Sequence, residues 1–297
     1  MLPRRHIRIK IFQSLYASTY HIEKNEYDTK QKIQQNLDGY LKLYYLIIDL
    51  FIILKDVAKE EITIKKNKLR PSQEDLKPNT RFVNNYILKK LKKLKNNDND
   101  IENEKKELLI KKVFKLIKTS KTYINYMIKT SPSKKDDKNI IIHILKKYFV
   151  GNETIHDFLE EYSIYWNDDI LIVYNSLIEK INNNLSLNSV QLFRKKEDQL
   201  YANSLIQNTL SKKEEINLII YKLAKNWDQE RIAISDLIIM RMAISEMLYI
   251  KNIPNKVTLD EYIEIAKEYS SPKSKEFVNG ILDVFIKDIL VKSTSKS

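Results

Sequence analysis

Apolar residues recur at steps of three and four along most of this chain, the spacing that gathers them on one stripe of an α-helix. After Tyr27 they fall at Ile33, Leu37, Leu41, Tyr44, Ile48 and Phe51, which predicts one long core-facing helix. Further periodic segments span about 101–130, 138–149, 153–163 and 168–181, with Leu109, Val113, Leu116 and Ile117 forming a second stripe. Polar breaks at Asn96–Asp100, Ser131–Lys138 and Asn182–Ser189 read as linkers.

From 197 onward the chain is more tightly punctuated. Helices are predicted at about 197–210 and 212–226, and Ser235-Asp236 reads as the N-cap and acidic first turn of another, with Ile239, Ala243, Met247 and Ile250 inward. Thr258-Leu259-Asp260-Glu261 has the form of a capping box, opening a helix that buries Leu259, Tyr262, Ile263, Ala266 and Tyr269. The last helix carries Phe277, Val278, Ile281, Leu282, Phe285 and Ile289 at core spacing. Gly280 interrupts it, where glycine costs about 1 kcal/mol relative to alanine. Either another backbone approaches closely there, or room is kept for a ligand beside Asn279.

Composition narrows the class. Three glycines and six prolines in 297 residues leave little material for the tight turns of a β-rich fold, so an all-α architecture is expected. The absence of cysteine excludes disulfides and thiolate metal sites and fits a reducing cytosol. The apolar run Leu41–Leu54 contains Lys42 and Asp49 and is shorter than the ~20 residues that span a bilayer, so it reads as a buried helix. No signal peptide is expected, because no apolar stretch of signal-like length follows the basic opening. His6, His21, His143 and His156 lack zinc-type spacing, and Gly39, Gly151 and Gly280 are too scattered for a phosphate loop. No metal, cofactor or catalysis is expected.

The net charge of +13 attracts phosphate polymers, but most of it is diffuse. Residues 1–23 carry +3, residues 191–297 carry +2, and the lysine-rich middle, 24–190, holds +8. The sharpest local feature is Pro3-Arg4-Arg5-His6-Ile7-Arg8, running into the apolar segment Ile11–Ala17. Pro3 suits the first helical position. Cations at a helix N-terminus oppose the macrodipole, by ~0.3–1 kcal/mol each. An anionic partner would account for three arginines there; the alternative is a solvated terminus in a lysine-rich chain.

The C-terminal residues carry a resemblance. Asn226-Trp227, Arg231, Asp236 to Ala243, Glu246, Ile253-Pro254, Glu264-Ile265-Ala266-Lys267, Tyr269 and Phe277-Val278-Asn279-Gly280-Ile281-Leu282-Asp283 together closely resemble the bacterial antitermination factor NusB family. Arg4-Arg5, Arg8 and Gln13-Ser14-Leu15-Tyr16 resemble that family's N-terminal helix. The resemblance covers about 1–20 and 197–290. It implies a two-bundle helical domain formed by 1–23 with 191–297, and a large helical insertion over 24–190 similar to that of the long NusB-like proteins.

The resemblance further implies binding to boxA-type single-stranded RNA of ribosomal operons, together with ribosomal protein S10 and within the transcription elongation complex, without catalysis. By position it assigns RNA contacts to Arg4, Arg5, His6, Arg8, Tyr16, Lys273, Lys275, Phe277 and Asn279, and partner contact to Asp236. His6 stands where an arginine is common. The physics agrees in outline: cations track phosphates, and flat side chains stack on bases at ~1–3 kcal/mol each. The alternative is a helical protein-interaction scaffold that has lost RNA binding.

Overall fold

The computed structural model describes residues 1–20, 25–94, 101–183, 190–225 and 227–290. His21, Asn226, Asn96–Asp100, Asn184–Ser189 and the Ile289 side chain, all used in the sequence reading, lie outside that description. The chain is all-α: α1 Arg4–Ser18, α2 Glu26–Lys66, α3 Gln73–Leu76, α4 Tyr86–Lys92, α5 Asn103–Lys118, α6 Lys121–Ile128, α7 Lys134–Ile144, α8 Glu153–Glu160, α9 Trp166–Asn182, α10 Lys196–Ser211, α11 Lys213–Leu223, α12 Ile234–Tyr249, α13 Asn255–Tyr269 and α14 Ser274–Phe285. Wider π-type turns extend α7 through Val150 and α14 through Leu290. Among the described residues the one β-type pairing outside helices is the bridge between Leu2 and Phe193.

Two compact units emerge. One consists of Leu2–Leu37 and Phe193–Ser297; the other of Asp38–Leu192 with Met1. In the first, α12 is the central element, packed by α1, α10, α11, α13 and α14. Its apolar residues occur on every face, and Ile238 through Met247 are buried without interruption, as expected of a helix enclosed by neighbours. Lys10, fully buried on α1, donates from Nζ to the Asn36 carbonyl and Oδ1 at 2.9 Å each, which fixes α1 against the start of α2.

In the second unit α2 keeps Tyr44, Ile48 and Phe51 buried, and Phe51 stacks on Phe149 with centroids 4.6 Å apart. Phe82, Phe114 and Tyr123 form a further aromatic cluster. Lys106 meets Asp49 at 2.6 Å with both side chains buried. Capping boxes at Ser72/Asp75 and Ser133/Asp136 start α3 and α7.

Several local expectations are corrected. The polar stretch after Ser133 is the first turn of α7 rather than a linker, because Ser133 and Asp136 cap it reciprocally. The segment 101–130 breaks at Thr119-Ser120, where the Ser120 hydroxyl accepts from Tyr123 N and restarts the chain as α6. Leu116 is exposed. Pro3 is the N-cap of α1 rather than its first helical residue, and Ala233, not Ser235, caps α12. The expected capping box at Thr258 lies inside α13, which starts at Asn255 after Pro254; Thr258 is buried and bonds elsewhere, while Leu259, Ile263 and Tyr269 are only half-buried.

Candidate nucleic-acid interface

The three N-terminal arginines diverge as α1 turns. Arg4 Nε meets Asp198 Oδ1 at 2.9 Å, with its guanidinium 5.0 Å from the Tyr201 ring centroid. Arg5, exposed, meets Glu261 at 3.2 Å. Arg8 points inward, 3% exposed, and forms a two-pronged pair with Glu246 at 2.9 Å from Nε and 2.7 Å from Nη2. The expectation that Arg8 presents its charge at the surface is thereby corrected. His6, expected beside the arginines as an RNA contact, is buried as well.

Glu246 is the node of this interior. Besides Arg8 it accepts from Tyr201 Oη at 2.7 Å, Tyr262 Oη at 3.1 Å and Thr258 Oγ1 at 2.9 Å, so one carboxylate joins α1, α10, α12 and α13. Burial pushes its carboxyl up, but the Arg8 hydrogen bonds and charge, with Tyr201 and Thr258, outweigh that and hold it below the ordinary glutamate range. Burial likewise opposes the charge on Arg8, and the Glu246 bond reverses the balance, raising its pKa. Tyr201 and Tyr262, desolvated beside the carboxylate, are held well above the usual tyrosine range.

On α13 the hydrogen bond from Lys267 holds the Glu264 carboxyl low, with smaller contributions from the charges of Lys267, Arg5 and Lys275. Lys273 and Lys275 are exposed. Phe277 is half-buried and meets Trp227 edge-on with centroids 5.0 Å apart; Trp227 is 58% exposed. Together with Arg231 and Lys273 these rings line an open cleft of about 670 Å³. On α1, Tyr16 is 38% exposed in a ladder from Tyr269 through Phe12 and Tyr16 to Tyr20.

Asn279 and Gly280 are exposed, and a Cβ added at Gly280 would meet nothing within 4 Å. Close backbone packing is therefore not what this glycine serves; the position faces open space. Asp236, expected in an exposed first turn, is 5% exposed at the floor of the cleft. It accepts from Ser270 Oγ at 2.6 Å, in a hydroxyl cluster with Ser235, Ser271 and Ser274.

Trp227, Tyr20 and Glu246 were not assigned roles by sequence. Trp227 sits in a polar stretch, between Lys225 and Arg231, where a large ring has no core stripe to join. That is the signal that could have singled it out. Among the described residues no cluster of three or more His, Asp or Glu is placed to hold a metal, and His156 bonds to Asn167 Oδ1 and the Val150 carbonyl. No helix among them is long and apolar enough to cross a membrane.

Residues 152–287 match the model of the NusB family. The chain is 46% identical over 89 residues to the transcription antitermination protein NusB of Salinibacter ruber, covering 30% of this chain and 56% of that one. It is 49% identical over 90 residues to that of Chloroherpeton thalassium and 41% over 90 residues to that of Enterococcus faecalis, covering 41% and 58% of those proteins. The matching stretch thus spans about half the length of these relatives. No solved structure matches the chain. Trp227, Lys273, Lys275, Phe277 and Glu246 lie within the residues that match the NusB family model, and Arg4, Arg5 and Arg8 lie before them.

Proposed function

We propose that this protein is a transcription antitermination factor that binds boxA-type single-stranded RNA of ribosomal operons together with ribosomal protein S10, in the cytoplasm and within the transcription elongation complex. The observation that carries the reading is the exposed Trp227 against half-buried Phe277 beside Lys273, within a region 41–49% identical to proteins named for antitermination. Rings next to cations are what single-stranded RNA requires. Arg4, Arg5, Lys273 and Lys275 would track phosphates; Phe277, Trp227 and Tyr16 would stack on bases; Asn279, with open space at Gly280, would meet a base edge. Arg8 and His6 contribute from below, by fixing α1. Asp236, at the cleft floor, marks the side proposed for S10. The RNA- and partner-binding domain is 1–23 with 191–297, and 24–190 is a helical insertion.

A scaffold that has lost RNA binding is favoured by one observation: Arg4, Arg5 and Arg8 already face carboxylates. Titration of the full chain with a boxA-like RNA, with and without S10, separates the two. RNA binding that tightens with S10 supports antitermination. S10 association without RNA binding assigns the scaffold.

A further inference from the structure

The ends of α1 and α10, the start of α2, and α11 with α12 enclose a second cleft, about 500 Å³, that shares no lining residue with the Trp227–Phe277 cleft. Its apolar lining is Leu15, Leu210, Ile234, Leu237 and Ile238, interspersed with polar residues such as Ser18, Thr29 and Asn217. Arg241 also lines it, although only 7% exposed. Of the three other buried lysine and arginine side chains among the described residues, Lys10 donates to the Asn36 carbonyl and Oδ1, while Arg8 and Lys106 each face a carboxylate. Arg241 has no such partner among the described residues: its Nε donates to Asn217 Oδ1 at 3.0 Å, and nothing accepts from Nη1 or Nη2. Neither of those nitrogens is sealed from the cleft.

Desolvation lowers the Arg241 pKa, and the charges of Glu214 and Tyr221, neither hydrogen-bonded to it, offset this only in part. A buried guanidinium without a counterion is costly unless something anionic completes it. With Nε engaged, the edge left open is the Nη1/Nη2 fork, whose geometry matches a planar carboxylate. The rim, Glu26, Glu214 and Glu215 against Lys213, disfavours anions in general and a dianion or a polyphosphate chain most, so a single negative charge seated directly on Arg241 is the most the cleft would hold.

We propose that this cleft binds a carboxylate carried on an apolar body, its two oxygens on Arg241 Nη1 and Nη2 and its hydrocarbon part against the leucine and isoleucine walls. Two sources share that chemistry, a free aliphatic acid and the C-terminal carboxylate of an apolar peptide. Nothing in the proposal depends on RNA or S10 binding.

The test titrates the full chain with hexanoate, hexanol, inorganic phosphate, and an apolar peptide ending in leucine as its free acid and as its amide, followed at isoleucine methyl signals. Hexanoate is expected to shift Ile234 and Ile238, and hexanol and phosphate to bind more weakly. Arg241→Met should weaken hexanoate by about tenfold or more, the worth of one good charge-assisted pairing. Leu237→Trp, which fills the cleft and leaves Arg241 in place, should do the same and decides the matter if Arg241→Met fails to fold. A free-acid peptide tighter than both its amide and hexanoate assigns the peptide source; hexanoate tighter than the peptide assigns a free acid. Hexanol or phosphate binding as tightly as hexanoate, or affinity unchanged in both variants, would overturn the proposal.

Discussion

Arg8 and Glu246 form a buried two-pronged ion pair, at 2.9 and 2.7 Å, between the N-terminal helix and the enclosed helix α12. The pair turns an arginine of a basic cluster into part of the scaffold on which the outward cations stand. Removing Arg8 leaves Glu246 buried without its cation, at a cost of about 3–5 kcal/mol, whereas removing Glu246 leaves Arg8 the carboxylate of Glu261 at 3.5 Å and should cost nearer the lower end, about 3 kcal/mol. Denaturant unfolding of both variants and of the double variant checks this; the double should lose clearly less than the sum, since the two side chains touch. Additive losses would mean that the pair is not the coupling.

Acid sensitivity follows from the same carboxylate. The folded state holds the Glu246 pKa below its ordinary value, so its contribution is fully present above the unfolded range near ~4.3 and is lost as pH falls through the folded value. Wild-type stability should therefore decline as pH falls below that range. Glu246→Gln should be less stable at neutral pH and should show a shallower acid dependence. Equal acid slopes for the two proteins would contradict this assignment.

Gly280 offers a separation of stability from function. It lies in α14 with open space beyond it, so Gly280→Ala meets no obstruction and should gain up to about 1 kcal/mol of helix propensity. Thermal unfolding measures that gain, and RNA titration of the same variant should show weaker binding if a base approaches Asn279. Destabilisation by alanine would mean that the position is not open.

Asp236 is too enclosed for charge reversal to be a clean probe. Lysine there would bury an amine where Ser270 donates at 2.6 Å, at a cost of about 1–3 kcal/mol. Asp236→Asn keeps the shape and an acceptor while removing the charge. It should leave the unfolding midpoint nearly unchanged and weaken S10 association; S10 affinity equal to wild type would confine Asp236 to its serine cluster.

The helices are legible in the sequence because three-and-four periodicity survives in nearly every segment, and the all-α class follows from the scarcity of glycine and proline. What is not legible from charge alone is direction. Arg8 shares a helical stripe with Phe12 and Leu15, and Glu246 sits in a helix apolar on every face; an acid and a base on core stripes of different helices are a mutual signal, but only the fold shows that they meet. Helix starts are misplaced where two cap-like sequences compete. Thr258 resembles a cap, yet the chain enters α13 at Pro254, and the threonine hydroxyl is drawn to Glu246 at 2.9 Å. The pairing of Arg5 with Glu261, which joins α1 to α13, depends on tertiary packing and has no counterpart in local spacing.

The most direct measurement is the salt dependence of boxA-like RNA binding by the full chain, read from fluorescence. The chain has two tryptophans, and Trp166 is buried, so quenching on RNA addition reports chiefly on exposed Trp227. Stacking at Trp227 should quench the signal, and changing Arg4, Arg5, Lys273 and Lys275 to glutamine should flatten the log–log salt slope by roughly 0.7 for each phosphate no longer neutralised. Binding with no quenching and an unchanged slope in the fourfold variant would place RNA elsewhere on the protein and contradict the assignment of this face.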